Sequence, residues 1–292
     1  MDGRKPRPHC GVCGTFFGLS AGGGCENAQS MDRWTLRHVT VRDLSVALRE
    51  AGEGIPVLLV HGNASSSVWW EPTLQRVPLA WRWLAPDLRG RGETSGPCAG
   101  WTIPQLAQDL EALLDVLAVQ SAHVVGHSLG ASVALELALR RPTRVLSLCL
   151  LNPGWFQGDM PEALGDASRL HALANNPGML RMLLRAVAPG VPEGPEWERL
   201  VQASLLQKPE ATVEGGRAYQ TWSVADDLAT LKMPVTVLRG AGDALSTAAL
   251  CTALVERVQG ARLAEIPGAG HSPNVERPDL FVAALLEHLQ KS

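Results

Sequence analysis

A continuous apolar run, IPVLLVHG (55–62), most constrains the chain, and SAHVVG (121–126), RVLSLCLLN (144–152) and MPVTVLRG (233–240) read as further strands. A strand with one wet face alternates polar and apolar residues, so continuous apolar strands imply cover on both faces. Helical patterns lie between and after these runs. Ile103, Leu106, Leu110, Leu113, Leu114 and Leu117 recur at helical spacing, and Thr102 with Gln105 offers a capping box. SLGASVALELALR (128–140) is stopped by Pro142, and STAALCTALVERVQ (246–259) and PDLFVAALLEHLQ (278–290) read the same way. Strands alternating with helices imply βαβ units, so the fold class is α/β, a mostly parallel sheet with helices on both faces. WTLRHVTV (34–41), LSVALRE (44–50), WRWLAP (81–86) and ARLAEIPG (261–268) supply the further strands.

The rhythm breaks twice. Residues 153–232 carry prolines, glycines and short amphipathic stretches such as PGMLRMLLRAV and EWERLVQASLLQ without a strand-like run, which predicts an inserted helical subdomain. The core is then 31–152 with 233–292. Residues 1–30 are rich in Gly, Pro and Cys with no periodicity and are expected to form a flexible extension. A zinc knuckle from His9, Cys10, Cys13 and Cys25 is disfavoured because His9 abuts Cys10. A signal peptide is disfavoured because its apolar run is short and broken by glycine. A natural start at Met31 is the third reading.

Composition removes several function classes. The formal charge of −3, from 26 basic and 29 acidic residues without a basic run, gives no footprint for nucleic acid. No stretch approaches the ~18 consecutive apolar residues of a membrane span, so no membrane partner is expected. Six cysteines in 292 residues make no disulfide scaffold. Cys149 reads as core, Cys98 and Cys251 as free thiols, and a reducing, cytoplasmic setting fits. Neither a cofactor nor a metal is implied.

Within HVVGHSLGAS (123–132), Ser128 matches G-x-S-x-G between a strand and a helix. That context holds a serine on a sharp turn with small neighbours, whereas a serine that merely caps the helix is the plainer alternative. A serine hydroxyl is a weak nucleophile and needs a base, a group to orient the base, and donors for the oxyanion. Asp243 in VTVLRGAGDALS and His271 in LAEIPGAGHSPN follow Ser128 in the chain order Ser, acid, His, each in a loop after a strand. All three then share the carboxyl edge of the sheet, where sites on open α/β sheets form. Backbone N–H groups of Asn63 and Leu129 would form the oxyanion hole. His127, beside the nucleophile in a tight turn, is assigned to packing, and His61 to bracing the loop behind the site. Trp69, Trp70, Trp155 and Phe156 are candidates to line the acyl pocket; the alternative for each is the core.

Together LLVHGN, PDLRGRGET, VVGHSLGAS, RGAGD and GAGHSPN resemble the α/β-hydrolase superfamily over about Trp34 to the C-terminus. The resemblance implies an eight-stranded sheet with a helical cap after the sixth strand, and it gives Asp87 a structural role in the D-x-x-G-x-G turn. DALST lacks the proline that members often carry after the acid. Serine at the elbow argues against dehalogenase and epoxide hydrolase chemistry, which uses Asp there. The implied activity is hydrolysis of a small-molecule carboxylic ester or lactone through an acyl-enzyme. Thioesterase, carbon-carbon hydrolase and cofactor-free perhydrolase action on acyl substrates share the same triad, and a non-catalytic small-molecule receptor is the reading from another class. Substrate and oligomeric state are not encoded in these motifs.

Overall fold

The computed structural model describes residues 33–97 and 99–292. The readings made for residues 1–30 and for Cys98 lie outside them. Eight strands are formed: β1 (Thr35–Val41), β2 (Leu44–Ala51), β3 (Ile55–Val60), β4 (Trp81–Pro86), β5 (Ala122–His127), β6 (Val145–Leu151), β7 (Val235–Gly240) and β8 (Arg262–Ile266). The helices are α1 (Glu71–Leu74), α2 (Ile103–Val116), α3 (Leu129–Arg140), α4 (Glu162–Gly165), α5 (Ala167–Ala174), α6 (Pro177–Val187), α7 (Pro195–Leu205), α8 (Pro209–Arg217), α9 (Ala248–Arg257), α10 (Pro273–Glu276) and α11 (Pro278–Gln290).

The strands join one sheet in the order β1-β2-β4-β3-β5-β6-β7-β8. β1 and β2 pair antiparallel, β2 joins β4 antiparallel, and every later pairing is parallel. Alternation along β3 shows why its sequence is apolar throughout. Leu58 and Val60 pack with Leu106, Leu110 and Val133 on one side, whereas Val57 and Leu59 pack with Leu74, Phe281 and Leu285 on the other. All four are fully buried, and each is worth about 1.5–3 kcal/mol relative to exposure.

The apolar stripe of α2 packs against this core, and its start is capped by Thr102 Oγ1, which accepts from the Gln105 N–H at 3.3 Å. The expected capping box is only half made. The Gln105 side chain donates forward to Asp109 Oδ1 at 3.1 Å, because buried Asp109 already holds Arg89 and draws the amide with it.

Between β6 and β7 the chain forms α4 to α8 and no strand. The amphipathic stretches read from the sequence correspond to α6 and α7, whereas the patterning does not single out the short α4 or the longer α5 and α8. For the longer two the reason lies in their faces: α5 has no fully buried residue and α8 carries Gly215 and Gly216, so neither shows a sustained apolar stripe. Leu180, Leu184, Trp197, Leu200 and Val201 of this segment share a core with Ala64, Val68 and Trp69. Among the described residues no helix is long and apolar enough to cross a membrane.

Candidate active site

The parallel strands deliver five loops to one edge: Asn63 after β3, Ser128 after β5, Asn152 after β6, Asp243 after β7 and His271 after β8. Ser128 sits at φ 52° and ψ −118°, a left-handed conformation that costs a serine about 1–3 kcal/mol. Its surroundings enforce it. A Cβ on Gly126 would lie 2.2 Å from the Gly130 carbonyl, and one on Gly130 would lie 2.2 Å from the Val60 carbonyl, so both flanking glycines are required by close approach. The Ser128 N–H donates to Leu151 O at 3.0 Å, tying the elbow to β6. Its side chain makes no capping bond to α3, which removes the plainer reading of this serine.

Ser128 Oγ lies 3.0 Å from His271 Nε2, and His271 Nδ1 lies 2.7 Å from Asp243 Oδ2. A carboxylate only accepts, so Nδ1 carries the hydrogen and the Nε2 lone pair faces the serine hydroxyl. Burial alone would raise the Asp243 carboxyl; the bond and charge of His271 and the N–H groups of Leu245 and Ser246 outweigh it and hold the group below the usual carboxylate range. The missing proline leaves a turn closed by Asp243 itself, whose Oδ1 accepts from the Leu245 N–H at 2.8 Å.

Two residues outside the sequence reading hold this constellation. Asn152, fully buried at φ 44°, donates to the carbonyls of Gly270 (3.0 Å) and His271 (2.8 Å) and accepts from the Gly240 N–H at 2.8 Å. It thereby joins the ends of three strands. Glu276 accepts from the N–H groups of Gly270 and Ser272, and from Gly190 in the inserted segment at 3.0 Å. A polar residue ending an apolar strand was the available signal for Asn152; Glu276 offered none.

His127 does more than pack. Its Nε2–H donates to the His271 carbonyl at 2.7 Å, so it holds the neighbouring loop, and burial followed by the charge of His271 pushes it down to about 3. A ring that stays neutral with its nitrogen so engaged cannot serve as the base. His61 is likewise pushed to about 3 by burial and then by Arg91; its Nδ1–H donates to Gly62 O at 2.8 Å while Nε2 accepts from the Leu88 N–H at 3.0 Å. Asp87 closes the glycine-rich turn, accepting from the Ser67 and Glu93 N–H groups. Cys149 and Cys251 are free and buried, and burial pushes the Cys149 thiol up to about 12.

Leu129 is the first residue of α3, so its N–H has no intrahelical acceptor. Neither it nor the Asn63 N–H donates to another backbone group among the described residues. Ser128 and His271 open on a cavity of about 190 Å3 walled by Trp69, Trp155, Met160, Leu183, Leu184 and Val187, among others. Trp70 and Phe156 do not line it. Trp70 is fully buried with its ring 5.8 Å from Phe281, and Phe156 is buried in the core beneath the Arg257 guanidinium. Among the described residues no group of three or more His, Cys, Asp or Glu is placed to hold a metal ion.

Residues 57–284 match the family described as the alpha/beta hydrolase family. The chain belongs to that family. It is an enzyme of the hydrolase class. It is 27% identical over 247 residues to RutD of Azorhizobium caulinodans, a protein assigned to carbamate hydrolysis, spanning 80% of this chain and 91% of that one. A thermophilic esterase of Thermogutta terrifontis superposes with a TM-score of 0.77 at 26% identity, covering 88% of this hydrolase and 98% of the esterase. Est816, described as degrading N-acyl homoserine lactones, superposes with a TM-score of 0.73 at 28% identity over 86% and 99%.

Proposed function

We propose that this hydrolase cleaves a small, uncharged carboxylic ester or lactone through an acyl-enzyme on Ser128. The observation that carries the reading is the continuous contact Asp243–His271–Ser128 at 2.7 and 3.0 Å, opening on an apolar cavity. Ser128 Oγ attacks the carbonyl carbon as His271 Nε2 takes its proton, while Asp243 fixes the tautomer and stabilises the imidazolium. The carbonyl oxygen becomes an alkoxide between the N–H groups of Asn63 and Leu129. His271 returns the proton to the departing alkoxide, and the acyl group remains on Ser128. A water then loses its proton to His271, attacks the acyl carbon and releases the acid, and the proton returns to Ser128. With a lactone the alcohol stays covalently tethered to the acyl chain throughout, and the second step releases a single hydroxy acid.

The substrate class follows from the walls. Among the described residues no Asp, Glu, Lys or Arg lines the cavity, so a charged acyl group would lose its hydration without a partner, at a cost of several kcal/mol. We read residues 153–232 as a cap, since Met160, Leu164, Leu183, Leu184, Val187 and Tyr219 supply much of the wall over the sheet edge. The relatives named for esterase and lactone-degrading activity support the ester and lactone reading over the other acyl transfers.

A panel of aryl esters of increasing acyl length tests it, with intact mass to catch the acyl-enzyme. Expected is fastest turnover for short neutral acyl groups and a mass increase that Ser128→Ala abolishes. Ester turnover retained in Ser128→Ala, or micromolar ligand binding with no turnover in the wild type, would overturn the reading.

A further inference from the structure

Arg91 leaves the glycine-rich turn after β4 and enters the interior, where it is fully buried. No carboxylate among the described residues pairs with it, unlike its neighbour Arg89, which holds Asp109 at 2.8 Å. Its Nη1 donates to Arg89 O at 3.1 Å, and its Nη2 to Asn63 Oδ1 at 2.9 Å and to Ala211 O at 2.8 Å. Its Nε meets no partner among the described residues. Burying a guanidinium without a counter-ion costs several kcal/mol, and burial pushes this group down only to about 10, so it stays cationic at neutral pH.

What lies beside this charge is the oxyanion loop. A Cβ built on Gly215 would sit 2.3 Å from Arg91 Nη2, 2.8 Å from Asn63 Oδ1 and 3.2 Å from Leu129 Cδ2. The guanidinium therefore touches Asn63, and the small space beside Gly215 is bounded by Arg91, Asn63 and the Leu129 side chain together. Asn63 is clamped on its other side as well, since its Nδ2 donates to Thr212 O at 2.9 Å. Side chain and charge together pin one loop of the core to the start of α8.

We propose that Arg91 is a positioning residue for the oxyanion hole, holding the Asn63 N–H through the Asn63 side chain and setting a positive charge behind the oxygen that becomes negative. No bond to Arg91 forms or breaks, and it keeps its proton throughout. The benefit appears only as the carbonyl becomes an alkoxide, because a neutral ester draws little on a fixed charge. In a water-poor site such a charge acts at short range with little screening.

The proposal rests on the acyl-enzyme reading, and the test separates the two. In the full chain, Arg91→Met is expected to lower kcat on p-nitrophenyl butyrate by about 10- to 100-fold with KM changed by no more than about threefold. Affinity for a trifluoromethyl ketone, which forms a hemiketal oxyanion on the serine, is expected to fall by the same factor as kcat. Arg91→Lys, which keeps the charge, is expected to recover most of the loss. Asn63→Ala keeps its own N–H and leaves Arg91 intact, so it cuts the link even if Arg91→Met fails to fold; kcat is expected to drop about tenfold at unchanged KM. A folded Arg91→Met with kcat within about twofold of wild type sinks the proposal, as does a rise in KM with ketone affinity unchanged, or Asn63→Ala with full kcat. If a serine-directed phosphonate labels wild-type Ser128 while these variants turn over normally, the Arg91 proposal alone fails. If the phosphonate does not label Ser128, both fail.

Discussion

Among the described residues serine and histidine side chains meet in three places: Ser65 with His61 at 3.3 Å, and two clusters at opposite edges of the same sheet. At the carboxyl edge Ser128 lies 3.0 Å from His271, which Asp243 backs. At the amino edge Ser147 Oγ lies 2.7 Å from His123 Nδ1 and 2.8 Å from His288 Nε2, and His288 Nδ1 lies 2.8 Å from Thr236 Oγ1. By distance alone the second cluster is the tighter. Yet Ser147 is a mid-strand residue of ordinary conformation with no exposed surface, and among the described residues no carboxylate hydrogen-bonds either ring. One hydroxyl hydrogen is shared between two imidazoles, so the serine donates to one ring and accepts from the other. Burial pushes both histidines down, His288 to about 4 with a further push from His123 and Arg262. A serine–histidine contact is thus not a nucleophile in itself. The strained elbow, the buried acid, unengaged N–H donors and a cavity distinguish the upper cluster, and each difference can be removed or tested in turn.

The largest expected effect separates the clusters outright. Ser128→Ala is expected to lower kcat by about 10⁴-fold or more and to abolish phosphonate labelling, whereas Ser147→Ala keeps kcat within about twofold. Comparable losses from both would mean that the lower cluster also bears on the reaction. Next in size is Asn152→Ala, which removes the side-chain bonds that add to the backbone pairing where β6, β7 and β8 end. It leaves the Gly240 N–H unpaired and places alanine at φ 44°, so about 2–3 kcal/mol of stability is expected to go, read from urea melts. With His271 no longer held by that amide, kcat is expected to fall about tenfold even where the protein remains folded.

The comparison also explains what the sequence could carry. Ser128, Asp243 and His271 were legible because strand-end loops on a parallel sheet converge and because the chain order of the three types is restrictive. The strand runs were legible because burial on two faces makes a strand mostly apolar rather than alternating. Ser147, His123 and His288 carried no signal of their meeting, since a polar residue within an apolar run says nothing of its partner 141 positions away. Arg91 was hidden for a related reason: the D-x-x-G-x-G pattern identifies the turn but not that the arginine turns inward. The Trp69–Trp70 pair shows the limit at its sharpest, one ring in the cavity wall and the next in the core, because direction within a short helical turn depends on what packs against it.

The lower cluster yields the smaller effects, and they concern stability. Ser147→Ala leaves ring nitrogens of His123 and His288 buried without their hydroxyl partner, which is expected to cost about 1–3 kcal/mol in the urea midpoint at unchanged kcat. The pH dependence is finer. The folded His288 ring stays neutral down to about 4, whereas in the unfolded chain it takes a proton near 6.5. Its contribution is therefore complete above about pH 6.5 and is lost as pH falls towards 4, at about 1.4 kcal/mol per pH unit. His61 and His127, pushed to about 3, add slopes of the same sign, so acid sensitivity persists when any one of the three is removed. His288→Gln is expected to shrink the stability difference between pH 7 and pH 5 by about 2 kcal/mol while lowering the value at pH 7. An unchanged difference would mean that the native cluster already binds a proton at pH 5. Ser147 would then bridge a charged ring and a neutral one, and the distinction between the two edges would rest on access and backbone strain rather than on charge.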